Sequence, residues 1–118
     1  MIANKKILAV VPARGGSKGI PLKNLRQIGG KSLVSRVGDV IRQVPAIDRS
    51  VVSTDNEQIA GEAERAGISA PFRRNKKLSG DRICDHDVLV DALVTMEVFD
   101  SCRYDIILML QPTSPFRT

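Results

Sequence analysis

Arg14, Lys18 and Lys23 share one short segment with three glycines, Gly15, Gly16 and Gly19. The segment, Val11-Pro12-Ala13-Arg14-Gly15-Gly16-Ser17-Lys18-Gly19-Ile20-Pro21-Leu22-Lys23-Asn24, continues from an apolar run, Ile7 to Val11, that reads as a buried strand. Glycines let the backbone turn tightly and come close to a ligand. Backbone N–H groups exposed at a strand end, with cations around them, suit a polyphosphate. The chemistry implied is nucleotide handling, in which fixed positive charge meets the negative charge that builds during phosphoryl transfer. A solvated surface turn has no need of Pro21 together with three cations.

Familiar phosphate-binding patterns do not account for the segment. Gly29-Gly30-Lys31-Ser32 ends like a Walker A motif, but the first glycine of that motif falls on Leu25. The dinucleotide fingerprint fails too, because the glycines fall at 15, 16 and 19. Gly29-Gly30 reads instead as a tight turn ahead of a helix.

The stretch from Pro12 to Asn24 resembles the signature loop of the acylneuraminate cytidylyltransferases, the CMP-sialic acid synthetases. Val52-Ser53-Thr54-Asp55-Asn56-Glu57-Gln58-Ile59-Ala60 and Leu110-Gln111-Pro112-Thr113-Ser114-Pro115-Phe116-Arg117 resemble later motifs of the same family, in the same order. The loop differs from that of the related KDO cytidylyltransferases, where an aromatic-Ser-Thr-Arg-like stretch replaces Gly16 to Gly19. It differs also from the Gly-x-Gly-Thr-Arg-like loops of uridylyl- and guanylyltransferases.

The resemblance implies a Rossmann-like α/β fold of the nucleotide-diphospho-sugar transferase type, with a mostly parallel sheet and flanking helices. It implies transfer of CMP from CTP to a nonulosonic, sialic-type acid, an acidic nine-carbon sugar, with release of pyrophosphate. Arg14 and Lys23 then fit the catalytic electrostatic role, and Arg14, Gly15, Gly16, Ser17, Lys18, Lys23 and Asn24 hold the nucleotide. Lys18 also fits a merely solvated loop cation. Arg74 maps to the cytosine end of the site and Gln111 to a sugar-acid contact. An amide that both donates and accepts suits a carboxylated, polyhydroxylated substrate, while Thr113 and Ser114 between two prolines read as turn residues.

The middle of the chain departs from the family pattern. Family members show an Arg-Pro pair, whereas Arg74 is followed by Asn75. Asp81 matches, but Arg82-Ile83-Cys84-Asp85 stands where a hydroxyl-rich stretch is expected. Asp85 is therefore either a nucleotide contact or the N-cap of the next helix, and His86 reads as a helix-start residue. The resemblance also implies Mg²⁺ held by a pair of aspartates, and a dimerisation segment, both in a later half that has no counterpart here. The expectation is an apparently truncated, N-terminal nucleotide-binding part, weak or inactive alone, with no metal ligands of its own. Two other readings stand beside it: a binding-only or regulatory module, and a transferase for another nucleotide or acidic sugar.

The elements that must position these residues alternate strand and helix. Ile7 to Val11 is the first strand, and the apolar spacing of Leu33, Val34, Val37, Val40, Ile41 and Val44 predicts a helix over Lys31 to Val44, ended by Pro45. Arg49 to Ser53 reads as a strand, Thr54-Asp55-Asn56 as a helix-start turn and Asn56 to Ala66 as a helix stopped by Gly67. A short strand is expected around Ile68 to Ala70. Asp85 or His86 to Phe99 is predicted helical, with Val88, Leu89, Ala92, Leu93 and Met96 on one face, and Asp105 to Leu110 as the last strand. Alternation of this kind implies a mostly parallel sheet. Its strand ends share one edge, where the glycine-rich segment, Thr54-Asp55 and Gln111 to Arg117 converge.

Composition narrows the function classes. At 118 residues with 42% hydrophobic and 3% aromatic content, the chain makes one α/β unit with a core of Val, Ile, Leu and Ala. The net charge of +5 is clustered, at Arg14 to Lys31 and at Arg73 to Arg82. With one tyrosine, Tyr104, and no tryptophan it lacks the stacking aromatics of a nucleic-acid surface, so a small anionic ligand is favoured. No apolar run spans a membrane, and Ile7 to Val11 is no signal peptide. Cys84 and Cys102 make neither a metal pattern nor a disulfide framework, so the expected setting is cytoplasmic. A sheet without its later strands exposes an edge and an apolar face, from which a homodimer or other self-association is expected.

Overall fold

The computed structural model describes residues 4–13, 27–28, 31–74 and 85–111. At its centre lies β1 (Ile7–Pro12), whose residues Ile7 to Val11 are buried almost completely. A run that is apolar at every position, without alternation, fits a strand covered on both faces. β2 (Gln27–Ile28) and β3 (Lys31–Ser32) form a separate antiparallel pair. They lead into α1 (Leu33–Arg42), followed by β4 (Arg49–Ser53), α2 (Glu57–Arg65), α3 (Asp85–Asp100) and β5 (Ile106–Met109).

The main sheet has the order β4-β1-β5, with β1 parallel to both neighbours. Leu8 lies opposite Arg49 and Pro12 opposite Ser53 on one side, and Ile7 opposite Ile106 on the other. Alternate residues serve two cores. Val11 and Val52 pack with Val34, Val37, Ile59, Ala63 and Ile68 beneath α1 and α2. Leu8, Val10 and Val51 pack with Ala92 and Met96 of α3, with Leu89, Leu93, Tyr104 and Ile107 around them. The predicted inner face of α3 is the face that meets the sheet.

Local sequence accounts for the helix boundaries. Asn56 caps α2, its side-chain oxygen accepting from the N–H of Gln58 at 2.9 Å and of Ile59 at 3.0 Å. Thr54 Oγ1 accepts from Asn56 N–H at 3.1 Å and shapes the approach to the cap. Gly67, at φ +89°, closes the other end: its N–H donates to Glu64 O, and Ile68 N–H reaches back to Ala63 O at 2.8 Å. α1 crosses α2 where a Cβ on Gly38 would come within 2.6 Å of Ala66 O. At the edge where the strands begin, Arg49 Nε donates to Asp100 Oδ2 at 3.2 Å and Tyr104 Oη to the same oxygen at 2.5 Å. Burial and that carboxylate hold the Tyr104 phenol above its ordinary pKa.

Three expectations change. The helix predicted from Lys31 starts at Leu33, because Lys31–Ser32 pairs with Gln27–Ile28. It ends at Arg42, three residues ahead of Pro45, in a turn closed by Gln43 N–H to Val40 O and Val44 N–H to Ile41 O. The strand expected around Ile68 to Ala70 is a single parallel bridge, Ser69 to Val51, cut short by Pro71. Among the described residues, no helix is long and apolar enough to cross a membrane.

Candidate functional site

Since β1, β4 and β5 run parallel, Pro12, Ser53 and Met109 end at one edge of the sheet. The chain leaves that edge through Ala13, Thr54 and Leu110-Gln111. Two bonds hold the departures together: Ala13 N–H donates to Ser53 O at 2.9 Å and Leu110 N–H to Val10 O at 2.9 Å. The glycine-rich segment therefore starts from a fixed point, the buried Ala13, beside the end of β4.

The polar residues buried at this edge are Ser53, Thr54 and Arg74. Arg74 reaches back along the end of β4. Its backbone N–H donates to Thr54 O at 2.7 Å, its Nε to Ser53 Oγ at 3.1 Å and its Nη2 to Ser53 O at 2.8 Å. A guanidinium taken out of water is costly unless its donors are met, and Ser53 meets two of them. The Ser53 carbonyl thus accepts from both Ala13 and Arg74, using both of its lone pairs.

Arg73 anchors the same segment on the outside. Its Nε and Nη2 donate to Glu57 Oε1 and Oε2 at 2.7 and 2.9 Å, a bidentate pair on the first turn of α2. The Arg73 guanidinium holds the Glu57 carboxyl below the usual carboxylate range, and Glu57 in turn raises Arg73. Arg73 Nη1 also donates to the carbonyls of Ala70 and Phe72.

The sequence-predicted site residues fall unevenly on this frame. Arg14, Gly15, Gly16, Ser17, Lys18, Lys23 and Asn24 lie outside the described residues, as do Asp81, Cys84 and the Pro112–Arg117 segment. Arg74 stands at the strand-end edge as a buried side chain, and Gln111 is exposed just past β5 at the same edge. Asp85 is the first residue of α3, and its side chain lies outside the described residues. His86 follows, exposed in the first turn, with Nδ1 3.8 Å from Asp87. Asp55 lies in the exposed turn between β4 and α2, as the helix-start reading has it. Ser53 and Thr54 emerge as the residues that organise the edge. Their signal in the sequence is a polar pair closing an apolar strand, but the partner, Arg74, lies 21 residues away.

The Cytidylyltransferase family model matches residues 8–117 of the chain. The chain belongs to the cytidylyltransferase family. It is 41% identical over 112 residues to the CMP-N,N'-diacetyllegionaminic acid synthase of Legionella pneumophila, a match covering 95% of this chain and 48% of that protein. It is 36% identical to the pseudaminic acid cytidylyltransferase of Campylobacter jejuni, over 93% of this chain and 47% of that one. The chain spans about half the length of these curated relatives. Among solved structures, a CMP:2-keto-3-deoxy-manno-octonic acid synthetase in complex with CTP is similar, with a TM-score of 0.72 and 30% identity over 96% of this chain and 42% of that one. A 4-diphosphocytidyl-2C-methyl-D-erythritol synthase shares the fold, at a TM-score of 0.64 and 17% identity. The Rossmann-like, mostly parallel α/β architecture expected of a cytidylyltransferase is the one observed.

Proposed function

We propose that this chain is the CTP-binding part of a transferase that moves CMP from CTP to a nonulosonic acid. A sugar hydroxyl attacks the α-phosphorus, the bond from that phosphorus to the bridging oxygen breaks, and pyrophosphate leaves. Arg14 and Lys23 carry the electrostatic role, meeting the charge that spreads over the phosphoryl oxygens. Backbone N–H groups at Gly15 and Gly16, with Ser17, Lys18 and Asn24, hold the triphosphate; Arg74 and Asp85 serve the nucleoside end. Gln111 addresses the carboxylated sugar.

One observation carries the reading: the Ser53 carbonyl accepts from Ala13 and from Arg74, so the cationic, glycine-rich segment begins beside a buried arginine. The named acids of the relatives differ, legionaminic in one and pseudaminic in another, so the proposal stops at the class of sugar. Mg²⁺ belongs to the reading as the ion that offsets triphosphate charge when bound. Among the described residues no group of three His, Cys, Asp or Glu side chains is placed to hold a metal, so these residues do not fit that role and no step above depends on it. The reading sets the chain in the cytoplasm, with self-association as the assembly to test.

A second reading, a nucleotide-binding unit without turnover of its own, stands beside it. The chain corresponds to 48% of the Legionella protein, and binding and turnover are therefore tested separately.

Calorimetric titration with CTP, with and without Mg²⁺ and with UTP and ATP as controls, tests the shared claim. Selective CTP binding, weakened at least tenfold in Arg14→Ala and Lys23→Ala, is the expected result, on the order of the loss of one charge-assisted contact. Equal binding of all three nucleotides, or of none, overturns it. Release of pyrophosphate on adding a nonulosonic acid then separates the transferase from the binding unit.

A further inference from the structure

β5 has the composition of an inner strand and lies at an edge. The stretch Ile106-Ile107-Leu108-Met109-Leu110 is apolar at every position, the pattern of a strand covered on both faces. It has none of the charges or prolines that blunt an exposed edge. Yet Leu108 is 38% exposed, whereas its partner in register, Ala9 of β1, is fully buried. Among the described residues nothing pairs with β5 on the side away from β1. The opposite flank is closed: beyond β4, Val52 N–H donates to Ser69 O at 2.9 Å and Ser69 N–H to Ser50 O at 3.3 Å. The faces are taken too, with Ile107 packed against the core beneath α3 and Leu110 against the core beneath α1 and α2. Among the described residues the sheet has one place to grow.

Backbone alternation fixes which groups are offered there. Ile106 N–H donates to Lys6 O at 3.1 Å and Leu110 N–H to Val10 O at 2.9 Å, both toward β1. The N–H groups of Ile107 and Met109, one residue out of step, face the open edge. An occupant must bring a strand for these groups and an apolar cover for Leu108. The similar proteins carry enough chain to do so. The match reaches 48% of the Legionella protein and 42% of the CTP-bound synthetase, whose fold agrees at a TM-score of 0.72 over 96% of this chain. More than half of each relative is therefore built outside this body. We infer that the open edge of β5 is where that remaining part of a cytidylyltransferase docks, adding the next strand of the sheet beside Ile107 and Met109 and covering Leu108. Because β5 ends at the same edge as β1 and β4, the added strand lies beside Gln111. The inference rests on family and fold, not on the nucleotide chemistry proposed above.

The test compares the 118-residue chain alone with a chimera in which the whole of it replaces its matched counterpart in the Legionella protein. Amide hydrogen exchange is read residue by residue. Ile107 and Met109 are expected to exchange fast in the chain alone and at least about tenfold more slowly in the chimera, the scale of a hydrogen bond gained within a cooperative sheet. Ile106 and Leu110, already bonded to β1, are protected in both. Fast exchange at Ile107 and Met109 in a chimera whose β1 and β4 amides are protected overturns the inference. Protection already present in the chain alone overturns it too; if that protection rises with concentration, the edge belongs to a second copy. The Legionella protein itself gives a check that needs no chimera. Its two amides aligned with Ile107 and Met109 are slow if a strand covers them, and exchange as fast as that of surface amides overturns the inference. Failure of any of these proteins to bind CTP bears on the proposed function alone.

Discussion

Arg73 and Arg74 are adjacent in a basic run and do opposite work. Arg73 lies on the surface against Glu57, an exposed pair that solvent and salt screen. Arg74 turns inward and is satisfied by the end of β4. The α2 cap offers a cleaner stability prediction at this scale. Asn56→Ala leaves the N–H groups of Gln58 and Ile59 without their acceptor and costs about 1 kcal/mol, which lowers the melting temperature by roughly 4 °C in a chain of this size. A calorimetric scan checks it, and an unchanged midpoint would show that the cap contributes nothing. The capping role was legible because Thr54-Asp55-Asn56 directly precedes an apolar helical pattern. The burial of Arg74 was not: the basic cluster from Arg73 to Arg82 reads as charge for a small anionic ligand, and only the fold brings Ser53 to Arg74.

Among the elements, long periodic segments were read closely and short ones were not. β4 falls on Arg49–Ser53 as expected, and α3 turns Val88, Ala92 and Met96 inward as its spacing implies. The β2–β3 pair was missed because two residues per strand carry no period, and the helical pattern that follows absorbs Lys31 and Ser32. The Ser69 bridge was read as a strand because Ile68-Ser69-Ala70 has strand composition, whereas Pro71 stops the pairing. Within the site, the convergence of strand ends was legible from the alternation of elements. The glycine-rich segment is read from residue types alone and lies outside the described residues. Gly38 shows how closely two helices approach: an added methyl would meet Ala66 O at 2.6 Å and Ala66 Cβ at 2.8 Å. Gly38→Ala gains helix propensity, but the overpacking costs about 1–3 kcal/mol and forces α1 away from α2. Chemical denaturation of this variant gives a lower midpoint. A midpoint above that of the unmodified chain would mean the helices part without cost.

For the molecule as a whole, α3 is the anomaly. Besides the face that meets the sheet it carries Val90, Val94 and Val98, which are 43%, 56% and 76% exposed where an amphipathic helix ordinarily has polar residues. Phe99 is exposed at its end, and Leu108 of β5 is 38% exposed on a strand with no partner on its far side among the described residues. Surfaces of this kind promote association. Light scattering at about 100 μM is expected to give a mass above that of the monomer, with Val94→Lys/Val98→Lys shifting it back while thermal stability stays within roughly 0.5 kcal/mol, as for surface substitutions. A monodisperse monomer for the unmodified chain would rule the association out.

The strand order carries a consequence for synthesis. β1 finds its first partner when β4 follows it in the chain, but its second, β5, is not made until residues 106–109. Until residues 106–109 are made the central strand, apolar from Ile7 to Pro12, has one hydrogen-bonding edge open. Pairings this distant in sequence close slowly, and an open apolar edge on a nascent chain is what chaperones recognise and what aggregates when they are absent. The residue that anchors the site, Ser53, is in register with β1 long before that second edge is sealed. The edge that would hold a nucleotide is therefore assembled from one side first, while the opposite flank is still being made.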